Sequence, residues 1–181
     1  IDQGVIDALR WRNIGPANMA GRVADVEGIP HPSRTFFVAA AAGGVWKTTN
    51  NGTTFRPVFD NYGVASLGDL AIAPSEPNTV YAVVAPDAGA IRFYKSTDRG
   101  AHWHQPVLGT NNERPNARQD MRPLSRIGGG DLPTLTVDPK DPNVIYSASV
   151  VMWRTEDGGL SWSAVRGAPG GDDYQRIWIN P

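Results

Sequence analysis

Hydrophobic and polar residues alternate along this chain in short runs, and the runs come in sets of four. The first set is "RVADVEGI", "TFFVAA", "GVWKTT" and "TTFRPVF". Each places apolar side chains at every second position or in a brief unbroken block, which is the period of a β-strand. A second set reads "LGDLAIA", "TVYAVV", "IRFYKST" and "AHWHQPV", and a third "LPTLTV", "NVIYSAS", "VVMWRTE" and "LSWSAVR". Beyond "QGVIDALRW" no stretch has a convincing helical period. We label the strands of each set A to D in chain order.

Two markers punctuate every set. Between A and B stands a proline turn, in "VEGIPHPSRTFFVAA", "LAIAPSEPNTVYAVV" and "LTVDPKDPNVIYSAS". Proline fits a turn because inside a strand it would remove a ladder N–H. Between C and D stands a hydroxyl residue, then Asp or Asn two later, Gly four later and an aromatic seven later. The copies are Thr48, Asn50, Gly52, Phe55; then Ser96, Asp98, Gly100, Trp103; then Thr155, Asp157, Gly159, Trp162. In such a box the Asp accepts turn N–H groups, the hydroxyl adds another bond, the Gly supplies a positive φ and the aromatic returns to the core. From Pro30, Pro74 and Pro139 to the box glycines the spacing is 22, 26 and 20 residues. Near-constant spacing assigns both markers to one repeated unit.

Four short strands per unit, repeated, predict an all-β β-propeller of four-stranded antiparallel blades. The boxes resemble BNR or Asp-box repeats, found in sialidase-type, sortilin-type and xyloglucan-degrading propellers. With "LRWRNIGPANMAGRV", "AAAAGGVWKTTNNGTTF" and "GAPGGDDYQ", the chain resembles the large secreted bacterial propellers called sortilin-like or glycosyl-hydrolase-like. That resemblance implies an exported protein, periplasmic or extracellular, that binds or processes a polysaccharide, or binds a peptide in the sortilin manner, or serves as a scaffold. The register gives a lead-in over 1–20, blade 1 over 21–60, blade 2 over 61–107, a long D–A loop over 108–127 and blade 3 over 128–168. Residues 169–181 then open a fourth blade, about three and a quarter blades in all. The expected partners are therefore the remaining blades, in the same protein or another chain.

Composition narrows the function classes. Formal net charge is -1 with 19% charged residues, which gives no basic surface for nucleic acid or membrane. The longest apolar run, "VAAAAGGVW", is too short to span a bilayer. Zero cysteines exclude disulfides and thiolate metal sites. "GGGD" lacks the lysine and helix of a phosphate loop, so no nucleotide site is expected. His102 and His104 flank Trp103 without an evident third ligand, and neither a metal nor a cofactor is expected.

Candidate chemistry falls on the face made by the D–A and B–C loops. Eight positions before the turn prolines stand Arg22, Ser66, Asp131 and Asp173, which pseudo-symmetry brings to one rim of the central channel. With Asp172 and the Leu108–Ile127 loop, they can bind a polar ligand or form an inter-blade network of ion pairs and hydrogen bonds. The boxes belong to the opposite face and read as structural. In xyloglucan-degrading propellers a catalytic Asp precedes a Gly-Gly pair on the first B–C loop; the matching position here is Ala41, which has no proton to transfer.

Overall fold

The computed structural model describes residues 22–63, 66–85, 92–106, 134–149, 151–166, 174 and 176–181. They form three antiparallel sheets. The first holds β1 (Val23–Gly28), β2 (Phe36–Ala40), β3 (Gly44–Thr48) and β4 (Arg56–Pro57) in that order. The second holds β5 (Ser66–Ile72), β6 (Val80–Ala85) and β7 (Arg92–Ser96), and the third holds β8 (Thr134–Val137), β9 (Ile145–Ala148), β10 (Met152–Thr155) and β11 (Ser163–Arg166). Each strand pairs with its sequence neighbour, as in a propeller blade.

The outer edges depart from four full strands. β4 is two residues long, and the second sheet has only a bridge, Lys95 to His104, where its fourth strand was expected. Pro57 ends β4 and Pro106 stands two residues after His104, and neither has an N–H to extend a ladder. Residues 176–181 lie beside β8, with Thr136 Oγ1 donating to the Ile177 carbonyl at 3.1 Å, but they pair in no sheet. This segment thus runs as a strip beside β8 and not as a ladder.

The second sheet is covered on both faces. Toward the first, Leu67, Leu70, Ile72, Val80, Ala82, Val84 and Tyr94 pack on Phe37, Ala39, Val45 and Phe59. Toward the third, Ala71, Ala73, Tyr81, Val83 and Phe93 meet Leu135, Val137, Ile145 and Trp162. The unbroken run "TVYAVV" now has its reason, since side chains on both faces of β6 are buried. Phe59 sits at the centre of the first interface, with ring centroids 4.9 to 5.0 Å from Tyr62, Tyr94 and Trp103.

The innermost strands carry a matched irregularity. The register shifts between Val23 and Asp25 in β1 and between Leu67 and Asp69 in β5. A β-bulge at Ala24 and at Gly68 accounts for both, and it resets which face the following residues occupy. Leu67 and Leu70, three apart, consequently share one interface.

Candidate functional site

The boxes are built from short-range hydrogen bonds. Ser96 Oγ accepts the Gly100 N–H at 2.8 Å and donates to Asp98 Oδ1 at 2.8 Å, while Asp98 Oδ1 accepts the His102 N–H at 2.9 Å. Thr155 and Asp157 repeat this with the N–H groups of Gly159 and Ser161, as do Thr48 and Asn50 with those of Gly52 and Thr54. The indoles of Trp103 and Trp162 close their boxes by donating to the Gly100 and Gly159 carbonyls. Phe55, which has no such donor, packs edge-on against Phe36 at 5.6 Å. Burial alone would raise the Asp98 carboxyl, but the His102 backbone and ring and the Ser96 hydroxyl outweigh it and hold its pKa below the ordinary range. Asp157 is likewise lowered: burial opposes, and the Ser161 hydroxyl and N–H prevail. His102 turns its Nδ1 to Asp98 Oδ2 at 2.6 Å. Among the described residues no group of acids and histidines is arranged to hold a metal.

The innermost strands β1, β5 and β8, with residues 176–181, enclose a cavity of about 550 Å³. Its polar wall is made by Asp25, Glu27, Asp69, Thr134, Thr136 and Arg176. Asp25 Oδ2 accepts the Leu70 N–H at 3.3 Å, and one blade on, Asp69 Oδ2 accepts the Leu135 N–H at 2.5 Å. Each acid stands five residues before its turn proline and clasps the inner strand of the next blade. The Asp25 carboxyl stands close enough to that of Asp69 to oppose its ionisation. Burial, reinforced by Asp25, raises Asp69 to about 7 against the opposing Leu135 N–H. Burial and then Asp25 raise Glu27 to about 7, with the Arg176 charge opposing. Near neutrality, then, the wall holds part of its acid as neutral carboxyl, a form that can donate a hydrogen bond. Trp178 also lines this cavity and is 78% exposed.

Of the expected rim residues, Arg22 and Ser66 lie among the described residues. Arg22 is exposed, and its carbonyl accepts the Ala41 N–H at 2.9 Å. It is not among the residues lining the cavity. Ser66 opens β5 opposite Ala85. Asp131, Asp172, Asp173 and the Leu108–Ile127 loop lie outside the described residues. Ala41 is tied into the framework, its carbonyl accepting the Leu67 N–H at 3.1 Å. The acids that do meet, Asp25, Glu27 and Asp69, were missed. A usable signal was the recurrence of Asp at the fifth position before Pro30 and Pro74, with Thr134 and Arg176 at the same offset before Pro139 and Pro181.

These features define a segment of an Asp-box β-propeller. It resembles the GH74 xyloglucanases. A xyloglucanase of Acetivibrio thermocellus is 26% identical over 180 residues, 91% of this chain and 20% of that protein. One of Hypocrea jecorina is 25% identical over 182 residues, 87% of this chain and 19% of that protein. The chain therefore spans about a fifth of the length of the curated relatives it matches. Among solved structures, an ancestral GH74 enzyme superposes with a TM-score of 0.59 at 20% identity, over 81% of this chain and 19% of that one. YCF48 from Cyanidioschyzon merolae superposes at 0.55 and 19% identity, over 82% of this chain and 38% of that one. No family model matches the chain.

Proposed function

We propose that this chain forms part of a glycan-binding propeller of glycoside-hydrolase-like descent, in an exported protein. The observation that carries the reading is the cavity on the inner strands, which Trp178 lines together with Asp25, Glu27, Asp69 and Arg176. An exposed indole offers a flat apolar face to a sugar ring, and carboxyls bind its hydroxyls as donor or acceptor according to their protonation. A cavity of about 550 Å³ falls within the usual range for small-molecule sites. The similarity to xyloglucanases supports a polysaccharide as the ligand class. Arg22, Ser66, Asp131, Asp172 and Asp173 remain proposed contacts at the channel mouth.

Binding is proposed here without assigning hydrolysis. Ala41 offers no acid or base at the first B–C loop, so turnover of the xyloglucanase type would need carboxyls from elsewhere. A second reading, peptide binding, draws support from a solved structure of YCF48 bound to D1 peptide, which superposes with a TM-score of 0.56 at 16% identity over 81% of this chain. Calorimetric titration with xyloglucan oligosaccharides separates the two. The glycan reading expects saturable binding that Trp178→Ala weakens by about tenfold or more. Absence of glycan binding in a folded protein that does bind extended peptides would transfer the assignment.

A further inference from the structure

A contact outside the cavity recurs in all three blades. The residue just before each box hydroxyl is a cation, Lys47, Lys95 or Arg154, and the seventh residue after each turn proline is an aromatic, Phe37, Tyr81 or Tyr146. The two meet in every blade. Lys47 Nζ lies 5.4 Å from the Phe37 ring centroid, Lys95 Nζ 5.5 Å from that of Tyr81, and Arg154 Cζ 5.7 Å from that of Tyr146. These are cation–π distances.

In the first two blades this pair receives part of the following blade. What it receives is a corner where two turns are fastened together. The third residue after the box hydroxyl donates its N–H to the carbonyl of the fourth residue after the proline. The pairs are Asn51 to Arg34 at 3.0 Å, Arg99 to Asn78 at 2.9 Å and Gly158 to Asn143 at 3.0 Å. All three donors adopt positive φ, 55°, 58° and 70°. Lys47 Nζ donates to the Arg99 carbonyl in the corner of blade 2 at 2.5 Å. Lys95 Nζ donates to Asn143 Oδ1 in the corner of blade 3 at 3.2 Å, and the Tyr81 hydroxyl donates to the Pro142 carbonyl there at 2.9 Å. Lys95 also crowds Gly158, where an added Cβ would lie 2.9 Å from Nζ.

Blade 3 repeats the receiving side with Tyr146 and Arg154. Arg154 keeps one nitrogen on Glu156 at 2.6 Å, while its buried Nε has no hydrogen-bond partner. A buried, unsatisfied guanidinium nitrogen is costly, and the same position is satisfied by the next corner in both other blades. Residues 176–181 already lie on this side of blade 3, at the same offset from Pro181 as β1 and β5 hold from Pro30 and Pro74.

We propose that Tyr146 and Arg154 form a socket for the corner of a fourth blade whose inner segment is Arg176–Pro181. Arg154 donates to its box-turn corner, and the Tyr146 hydroxyl donates to a carbonyl of its proline turn. A second copy of this chain fits less well, because its β1 would have to displace Arg176–Pro181 from beside β8. The socket does not depend on the ligand of the central cavity.

The test compares the 181-residue chain with the same chain lengthened after Pro181 by a copy of its residues 31–63, which places a box corner at the blade 1 spacing. In the lengthened chain the added box glycine amide should exchange at least about tenfold more slowly than in the unstructured peptide. Arg154→Met and Tyr146→Phe should reduce that protection, and Arg154→Lys should retain it, because lysine serves at this position in the other two blades. Arg154→Met should also lower the melting temperature of the lengthened chain more than that of the 181-residue chain. Equal shifts in both chains would confine Arg154 to a role within blade 3 and overturn the proposal. So would an added segment that exchanges freely beside the native socket. Dimerisation of the 181-residue chain that Arg154→Met abolishes would instead make a second copy the occupant, which also overturns it.

Discussion

At the scale of single residues, the box glycines show how one position meets two demands. Gly159 has a φ of 97°, and a Cβ there would fall 2.2 Å from Phe93 Cε1 in the blade before it. Gly159→Ala therefore adds a steric overlap between sheets to the backbone strain and should cost about 3 kcal/mol or more. Gly63 also has a positive φ, 62°, but a Cβ there would meet nothing within 4 Å. Gly63→Ala should cost only about 1 kcal/mol. Urea unfolding of both variants checks the contrast, and equal losses would mean that the inter-blade approach contributes nothing. Asp157→Ala leaves the Ser161 N–H and the Thr155 hydroxyl without their acceptor. It should cost about 1–3 kcal/mol. Loss of ligand affinity in Asp157→Ala or Asp98→Ala with unchanged melting would contradict the structural role of the boxes.

At the scale of elements, the inner strands are held together by acids that hold protons to unusually high pH. Glu27 and Asp69 titrate near 7 in the fold, against ordinary values of 4.5 and 3.8. A carboxyl raised on folding binds protons more tightly in the native state. Its contribution is complete below the ordinary value and fades as pH rises through 7. The boxes have the opposite sign, since Asp98 and Asp157 are lowered and their contribution fades only as pH falls below the ordinary carboxylate range. Between pH 5 and 8 the inner acids set the slope, so the melting temperature should be higher at pH 5. Asp69→Asn keeps an acceptor for the Leu135 N–H without titrating, and it should flatten that slope. Melts at pH 5 and 8 that fall equally in the variant and the native chain would place the pH dependence elsewhere.

At the scale of the molecule, the cores lie between blades and not within them. Phe37, Phe59, Leu70 and Trp103 come from two adjacent blades, and Phe93, Leu135 and Trp162 from the next pair. Repeat architectures depend on such interfaces. On β1, Val23 and Val26 are 58% and 55% exposed. The 181-residue chain expressed alone should melt broadly and self-associate, as sedimentation and calorimetry would report. A monodisperse species with one sharp transition would show that two interfaces are enough.

The sequence by itself determined the repeat, the strands and the boxes, because each rests on interactions within a few residues. Alternation has a period of two, and a box closes its hydrogen bonds from Thr155 to Trp162. The near-constant spacing of the two markers has its counterpart in the corner, whose N–H to carbonyl bond joins them in every blade. The channel wall was a matter for the tertiary structure. An equal offset of eight residues before Pro30 and Pro74 pointed to Arg22 and Ser66, and bulges at Ala24 and Gly68 set the facing of the residues that follow. Three residues nearer the proline, Asp25 and Asp69 reach across to Leu70 and Leu135, 45 and 66 residues away. A bulge shifts the phase of the alternation within strands too short to show where it falls, and contacts over such separations exist only once neighbouring blades have packed.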